Sequence, residues 1–206
     1  MDFNRNAALL VLGFATLTAC SGPPEDTSGD ADGKYRTWSD YLGDPGRSHF
    51  STLDAITPEN VSRLQVAWTY AAPDSGQMQM NPLVVDTVLY GVSAALRAFA
   101  LDARSGELLW QAGDTLEAWH STSRGVSYWS DGTDRRIFYT RGPDLWALDA
   151  ATGNPVATFG ENGRVALASG LPAWAAGKFV ISNTPGTVFR DLIIMPLRVP
   201  MKSLSS

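Results

Sequence analysis

The chain has 206 residues, a formal net charge of −5 and no cluster of lysine or arginine, which argues against nucleic acid as a partner. Its single cysteine rules out an intrachain disulfide and, with only two histidines, a standard zinc site. Behind a removable leader about 185 residues remain, enough for one hydrophobic core, and seven tryptophans supply large flat surfaces to fill it.

Residues 1–19 read as a signal peptide: Arg5 precedes an apolar run from Ala7 to Leu17 that is too short to span a bilayer. The run ends in Leu17-Thr18-Ala19-Cys20, which resembles the bacterial lipobox and implies a chain lipidated at Cys20 after cleavage. An ordinary signal peptide with an incidental cysteine is the alternative. Ser21, rather than aspartate, after the cysteine implies sorting to the outer membrane, with the domain on the periplasmic face. Residues 20–34, rich in Pro, Gly, Ser and acid, are expected to be a solvated tether.

The folded part is expected to begin at Tyr35. Thr57-Pro58-Glu59-Asn60 offers an N-cap, a proline at the first helical position and an early acid, predicting a short helix with Val61 and Leu64 on its inner face. Gln65–Tyr70 then alternates as a strand.

Two later stretches resemble each other. Leu89-Tyr90-Gly91 leads into Ala100-Leu101-Asp102-Ala103-Arg104-Ser105-Gly106, and Ile137-Phe138-Tyr139 leads into Ala147-Leu148-Asp149-Ala150-Ala151-Thr152-Gly153. Each copy reads as an apolar strand, a tight turn closed by glycine and another strand. The two aspartates stand 47 residues apart, and a period in the forties with this content predicts β-propeller blades. Asp102 and Asp149 are read as structural, accepting hydrogen bonds from turn amides while the glycine adopts positive φ.

Between the copies lies Trp119-His120-Ser121-Thr122-Ser123-Arg124, followed by Gly125-Val126-Ser127-Tyr128-Trp129, whose alternation suits a strand. Placed at the strand's edge, His120 and Arg124 bring a titratable ring and a fixed cation to one small volume, which suits a planar polyanion. A blade strand whose arginine pairs with a nearby carboxylate is the competing interpretation. Beyond Gly153 a Gly-flanked turn, Phe159–Gly163, leads into a strand. Phe179–Ser182 and Asp191–Met195 predict two more, before Pro196 and Pro200 interrupt the pattern. His49, and the isolated carboxylates Asp44 and Glu117, receive no catalytic role.

Taken together, Trp38-Ser39-Asp40-Tyr41-Leu42-Gly43-Asp44, Ser48-His49-Phe50-Ser51, Ile56–Val61 with Ala67-Trp68, Asn81-Pro82-Leu83-Val84-Val85, the two Ala-Leu-Asp-Ala copies, Arg124–Trp129 and Phe159–Gly163 resemble the N-terminal part of dehydrogenases dependent on pyrroloquinoline quinone (PQQ), with a leaning toward the membrane glucose dehydrogenase branch. The resemblance covers residues 35–199, leaving 200–206 as a tail outside it. It implies an all-β fold, the first blades of an eight-bladed quinoprotein propeller. PQQ and calcium would lie near the axis, and a sugar, polyol or alcohol would be oxidised by hydride transfer to the quinone.

The resemblance carries cofactor binding onto Arg124, onto Gln79 (where many members have a glutamate) and, by looser alignment, onto Thr140 and Ser182. His120 matches a histidine on the substrate or cofactor side. Alcohol-oxidising members carry adjacent cysteines before the arginine; their absence favours a sugar or polyol. The sequence stops before the segments that supply the catalytic aspartate and the calcium ligands, so no metal ligand is assigned. A truncated product, inactive alone, is expected, since the blades present would leave an unpaired edge. Two competing functions are a non-catalytic propeller lipoprotein of the outer-membrane barrel-assembly type and a periplasmic sugar- or polymer-binding module. No phosphate loop, dinucleotide glycine pattern or nucleophile elbow occurs. The electron acceptor is left open.

Overall fold

A computed structural model describes residues 37–114, 122–175 and 177–199. Among them ten short strands form three antiparallel sheets, and the only helical pieces are single 3-10 turns at Val61–Arg63 and Ala173–Ala175. The first sheet comprises β1 (Leu83–Val85), β2 (Val88–Val92), β3 (Ala98–Asp102) and β4 (Leu108–Ala112). The second comprises β5 (Ser127–Ser130), β6 (Arg135–Arg141), β7 (Asp144–Asp149) and β8 (Arg164–Ala166). Strand order is sequential in both, and a hairpin of β9 (Thr187–Phe189) and β10 (Leu192–Ile194) follows. Successive four-stranded meanders of this kind are propeller blades.

The inner strand β3 is apolar on both faces, as suits a strand covered on both sides. Ala98, Phe99, Ala100 and Leu101 of β3 are all buried. In β6 the period of two sorts the residues between two cores. Ile137 and Tyr139 join Tyr90, Ala100 and Trp110 between the blades, whereas Phe138 packs with Leu145, Ala147 and Val180 on the side facing the hairpin.

The repeated turn does what its residues predict and also holds the blades together. Asp102 Oδ1 accepts from the amides of Arg104 (2.9 Å) and Ser105 (2.8 Å) and from the Ser105 hydroxyl. Asp149 Oδ1 accepts from the Thr152 amide and hydroxyl, at 2.8 and 2.7 Å. The glycine that closes each turn, φ +74° at Gly106 and +73° at Gly153, lies directly under an indole. Trp68 covers Gly106 and donates to Ala103 O at 3.2 Å; Trp110 covers Gly153 and donates to Ala150 O at 3.0 Å. Each turn is therefore a socket for a tryptophan from the preceding stretch of chain.

Hydrogen bonds from the Ser105 amide first, then the Arg104 amide and the Ser105 hydroxyl, hold the Asp102 carboxyl below its ordinary value. A depressed folded-state value stabilises above the unfolded value, near pH 4, and that contribution disappears as pH falls through the folded value. Asp102→Asn should therefore melt with a shallower loss of stability below about pH 4 than the parent. Thermal denaturation across an acid pH series tests this, and identical slopes would remove Asp102 from the acid response.

Several expected elements differ. The predicted helix is one 3-10 turn, and Val61 and Leu64 point outward, 49% and 59% exposed. A single turn closes too few hydrogen bonds to propagate. Gln65–Tyr70 joins no sheet of the described residues; Trp68, docked on Gly106, anchors it instead. The strand expected at Phe179–Ser182 reduces to one bridge, Ile181 to Arg198. In the second copy the strand after the turn comes late, at Arg164, beyond a Leu148–Pro155 bridge. Proline lacks the amide a continuing ladder would need.

The lead-in segment lies against the first strands. Trp38 bridges Val84, and the Arg47 guanidinium donates to the Thr187 hydroxyl at 3.0 Å. Asp44 is buried and accepts from the hydroxyl and amide of Ser48, so it serves this loop, while His49 is exposed. Burial, and then the charge of Asp44, raise the Asp40 carboxyl above its ordinary value. The segments expected to be signal peptide and tether, with Cys20, Glu117, His120 and residues 200–206, lie outside the described residues.

Candidate cofactor site

β1, β5 and β9 each open a sheet or hairpin, and the short segments running into them meet. Asn81 and Gly125 form a parallel bridge, Asn81 N–H donates to Arg124 O (2.9 Å) and Arg124 N–H donates to Asn183 O (2.8 Å). The backbone of Arg124 is thus clamped on both sides. Gly125 is required there: at φ +133° a Cβ would sit 2.6 Å from Asn81 O. The buried Ser123 hydroxyl lies 3.2 Å from both the amide and the carbonyl of Gly125 and fixes the same turn.

A cleft of about 340 Å³ opens above this junction, lined by Gln79, Thr122, Arg124, Ser182, Asn183, Thr184, Pro196, Leu197 and Arg198. Three residues picked from the sequence, Gln79, Arg124 and Ser182, share it. Thr140 does not line it: the side chain is buried and donates to Ser182 O at 2.8 Å, supporting the cleft wall from behind. His120 lies outside the described residues, two positions before Thr122.

The sequence reading passed over Thr122, Asn183, Thr184 and Arg198. One signal was available, since Asn81-Pro82 and Thr184-Pro185 stand at matching distances before Val84 in β1 and Thr187 in β9. Thr122 donates to Gln79 Oε1 at 3.1 Å, which leaves the Gln79 amide nitrogen as the donor for a ligand. No aspartate or glutamate is among the lining residues. Among the described residues neither Arg124 nor Arg198 forms an ion pair. The carboxylate partner that the competing interpretation assigned to Arg124 is therefore not found there.

The donor set, two guanidiniums, an amide and hydroxyls around an opening of this size, fits a flat polycarboxylate such as PQQ. It does not fit a calcium ion, which takes oxygen ligands with carboxylates among them. The described residues contain no group of three His, Cys, Asp or Glu able to hold a metal.

Consecutive antiparallel blades with a cation-lined cleft where their first strands meet define a quinoprotein-type propeller segment. The chain belongs to the PQQ family described as glucose/ethanol/alcohol dehydrogenase, beta-propeller domain, which matches residues 38–204. It is 32% identical over 193 residues to the dehydrogenase subunit of alcohol dehydrogenase (quinone) from Gluconobacter oxydans, covering 84% of this chain and 25% of that protein. Quinate/shikimate dehydrogenase (quinone) from Acinetobacter baylyi is 32% identical over 201 residues, with 81% and 24% covered. Quinoprotein glucose dehydrogenase from Escherichia coli is 30% identical over 194 residues, with 82% and 24% covered.

Quinohemoprotein alcohol dehydrogenase from Comamonas testosteroni superposes with a TM-score of 0.65 at 22% identity, over 81% of this chain and 24% of that one. A europium-containing methanol dehydrogenase gives 0.63 at 21%, over 82% and 28%. These two establish the fold alone. The chain spans about a quarter of the length of the curated relatives it matches.

Proposed function

We propose that this chain is the PQQ-holding N-terminal part of a dehydrogenase that oxidises a sugar, polyol or alcohol. The observation that carries this is Arg124: its backbone is clamped between Asn81 and Asn183, and it lines a cleft shared with Gln79 and Ser182 while forming no ion pair among the described residues. When bound, PQQ supplies a two-electron acceptor for the hydride of a CH–OH donor.

The chain's own residues bind and orient. Arg124 neutralises a carboxylate of the cofactor, and the Gln79 amide, set by Thr122, donates to a ring or carboxylate oxygen. Ser182, Asn183 and Thr184 line the same cleft, and Thr140 donates to the Ser182 carbonyl behind it. His120 is assigned to the substrate side of the same cleft on the strength of the family resemblance and its nearness in sequence to Thr122. The reaction further requires a carboxylate base and a calcium ion, neither of which the described residues provide, so no proton transfer is assigned. The domain would face the periplasm, tethered to the outer membrane by a lipid on Cys20. Sugar or polyol is favoured over simple alcohol because no cysteine pair precedes Arg124.

Titrating the chain with PQQ while following tryptophan fluorescence and quinone absorption tests the proposal. Saturable binding of one quinone per chain is expected. No saturable signal up to about 1 mM quinone would refute a cofactor role for the cleft.

A further inference from the structure

The second guanidinium in the cleft is not required by a ligand with one acid group. Arg198 lines the same cleft as Arg124, on the segment that follows β10, and its backbone is fixed independently of its side chain. Its amide donates to Ile181 O at 2.8 Å, and its carbonyl accepts from the Ile181 amide at 3.2 Å. That reciprocal pair places Arg198 beside Ser182 on the cleft wall. The chain has 21 acidic residues against 16 basic ones, yet among the described residues no acidic one lines this opening. Two cations facing one cleft repel each other and gain nothing from each other's presence unless an anion lies between them. Elsewhere Arg136 stacks on Trp129 and pairs with Asp134, and Arg164 lies over Trp146 and pairs with Asp144. Among the described residues Arg124 and Arg198 form no ion pair.

We propose that Arg198 is a second anion-binding residue of the cleft. The site therefore selects ligands that carry at least two acid groups on one rigid planar frame, with Arg124 and Arg198 each holding one. This rests on the quinone-site proposal and adds a residue and a charge requirement to it. A fused-ring tricarboxylate satisfies both arginines, whereas a neutral ring system or a monocarboxylate leaves at least one guanidinium facing an unfilled cleft.

The test compares the full chain with Arg198→Gln, Arg198→Lys, Arg124→Gln and, as an equal-charge control outside the cleft, Arg190→Gln. The probes are PQQ and its trimethyl ester, titrated by tryptophan fluorescence at several salt concentrations, with thermal melting to verify folding. Arg198→Gln should weaken PQQ binding about tenfold or more and flatten its salt dependence. The lysine variant should recover much of the affinity, and Arg190→Gln should match the parent. The ester should bind the parent and Arg198→Gln equally weakly. If Arg198→Gln binds PQQ as tightly as Arg190→Gln while Arg124→Gln does not, the assignment of Arg198 falls and the quinone site stands. If the parent chain binds no PQQ, the quinone site fails and this assignment fails with it.

Discussion

Arg124→Gln is expected to weaken PQQ binding by about thirtyfold or more, roughly 2–3 kcal/mol, while leaving the melting temperature unchanged. The two effects separate because the residue is built in two parts. Its backbone ties three chain segments together through Asn81 and Asn183, and those bonds survive any side-chain replacement. Its guanidinium, exposed and without an ion pair among the described residues, contributes little to folding and much to an anionic ligand. Arg124→Lys should fall between, keeping the charge but losing the planar fork that grips a carboxylate with two hydrogen bonds. Fluorescence titration with PQQ measures all three proteins. Equal affinity in parent and Arg124→Gln, with both folded, would remove this arginine from the binding site.

Gly153→Ala is expected to destabilise the fold by about 3 kcal/mol, lowering the melting temperature by roughly 6–12 °C. Two costs combine. The residue occupies φ +73°, where a side chain is strained, and the new Cβ would meet the Trp110 ring at 2.6 Å. That ring cannot retreat cheaply. It is 8% exposed, donates to Ala150 O at 3.0 Å and lies 6.0 Å from the Tyr90 ring, whose hydroxyl reaches the same carbonyl at 3.1 Å. Ala150 O thus receives two donors from the preceding blade, and burial pushes the Tyr90 phenol up to about 12. Gly170→Ala separates the two costs, since Gly170 has φ +73° but open space around its Cβ direction. Calorimetry should find the Gly170 variant losing only the backbone strain, about 1 kcal/mol. Equal losses at both positions would refute the role of the glycine as a tryptophan socket.

How much of this could be read from the residues varied with the range of the interactions. The Ala-Leu-Asp-Ala-x-Ser/Thr-Gly copies announce their turns because the aspartate, the hydroxyl and the glycine all act within a few positions of one another. The flanking strands β3, β6 and β7 were legible because continuous apolar runs suit sheets buried on both faces. Thr187–Phe189 was missed, being three residues between Gly186 and Arg190 with no pattern long enough to read. Gln65–Tyr70 showed the opposite failure: its alternation suits a strand, but a ladder needs a partner, and alternation says nothing about where the partner lies. At the site, Arg124, Gln79, Thr140 and Ser182 were all expected from motif resemblance, and Arg124, Gln79 and Ser182 line one cleft. Thr140 was carried over by the looser alignment, and its hydroxyl is committed to the Ser182 carbonyl.

Local chemistry therefore determined on its own the all-β character, the 47-residue blade repeat and the turn-capping aspartates, while the family came from the resemblance of several motifs together. Only the three-dimensional arrangement decided that Trp68 and Trp110 seat on Gly106 and Gly153, that Val61 and Leu64 face outward, and that Arg198 and Thr184 share a cleft with residues some hundred positions earlier. The division has one cause. Turn and strand preferences are set by neighbours along the backbone, whereas a cleft assembled from the starts of separate blades depends on how whole sheets stack, and that depends on contacts between residues far apart in the chain.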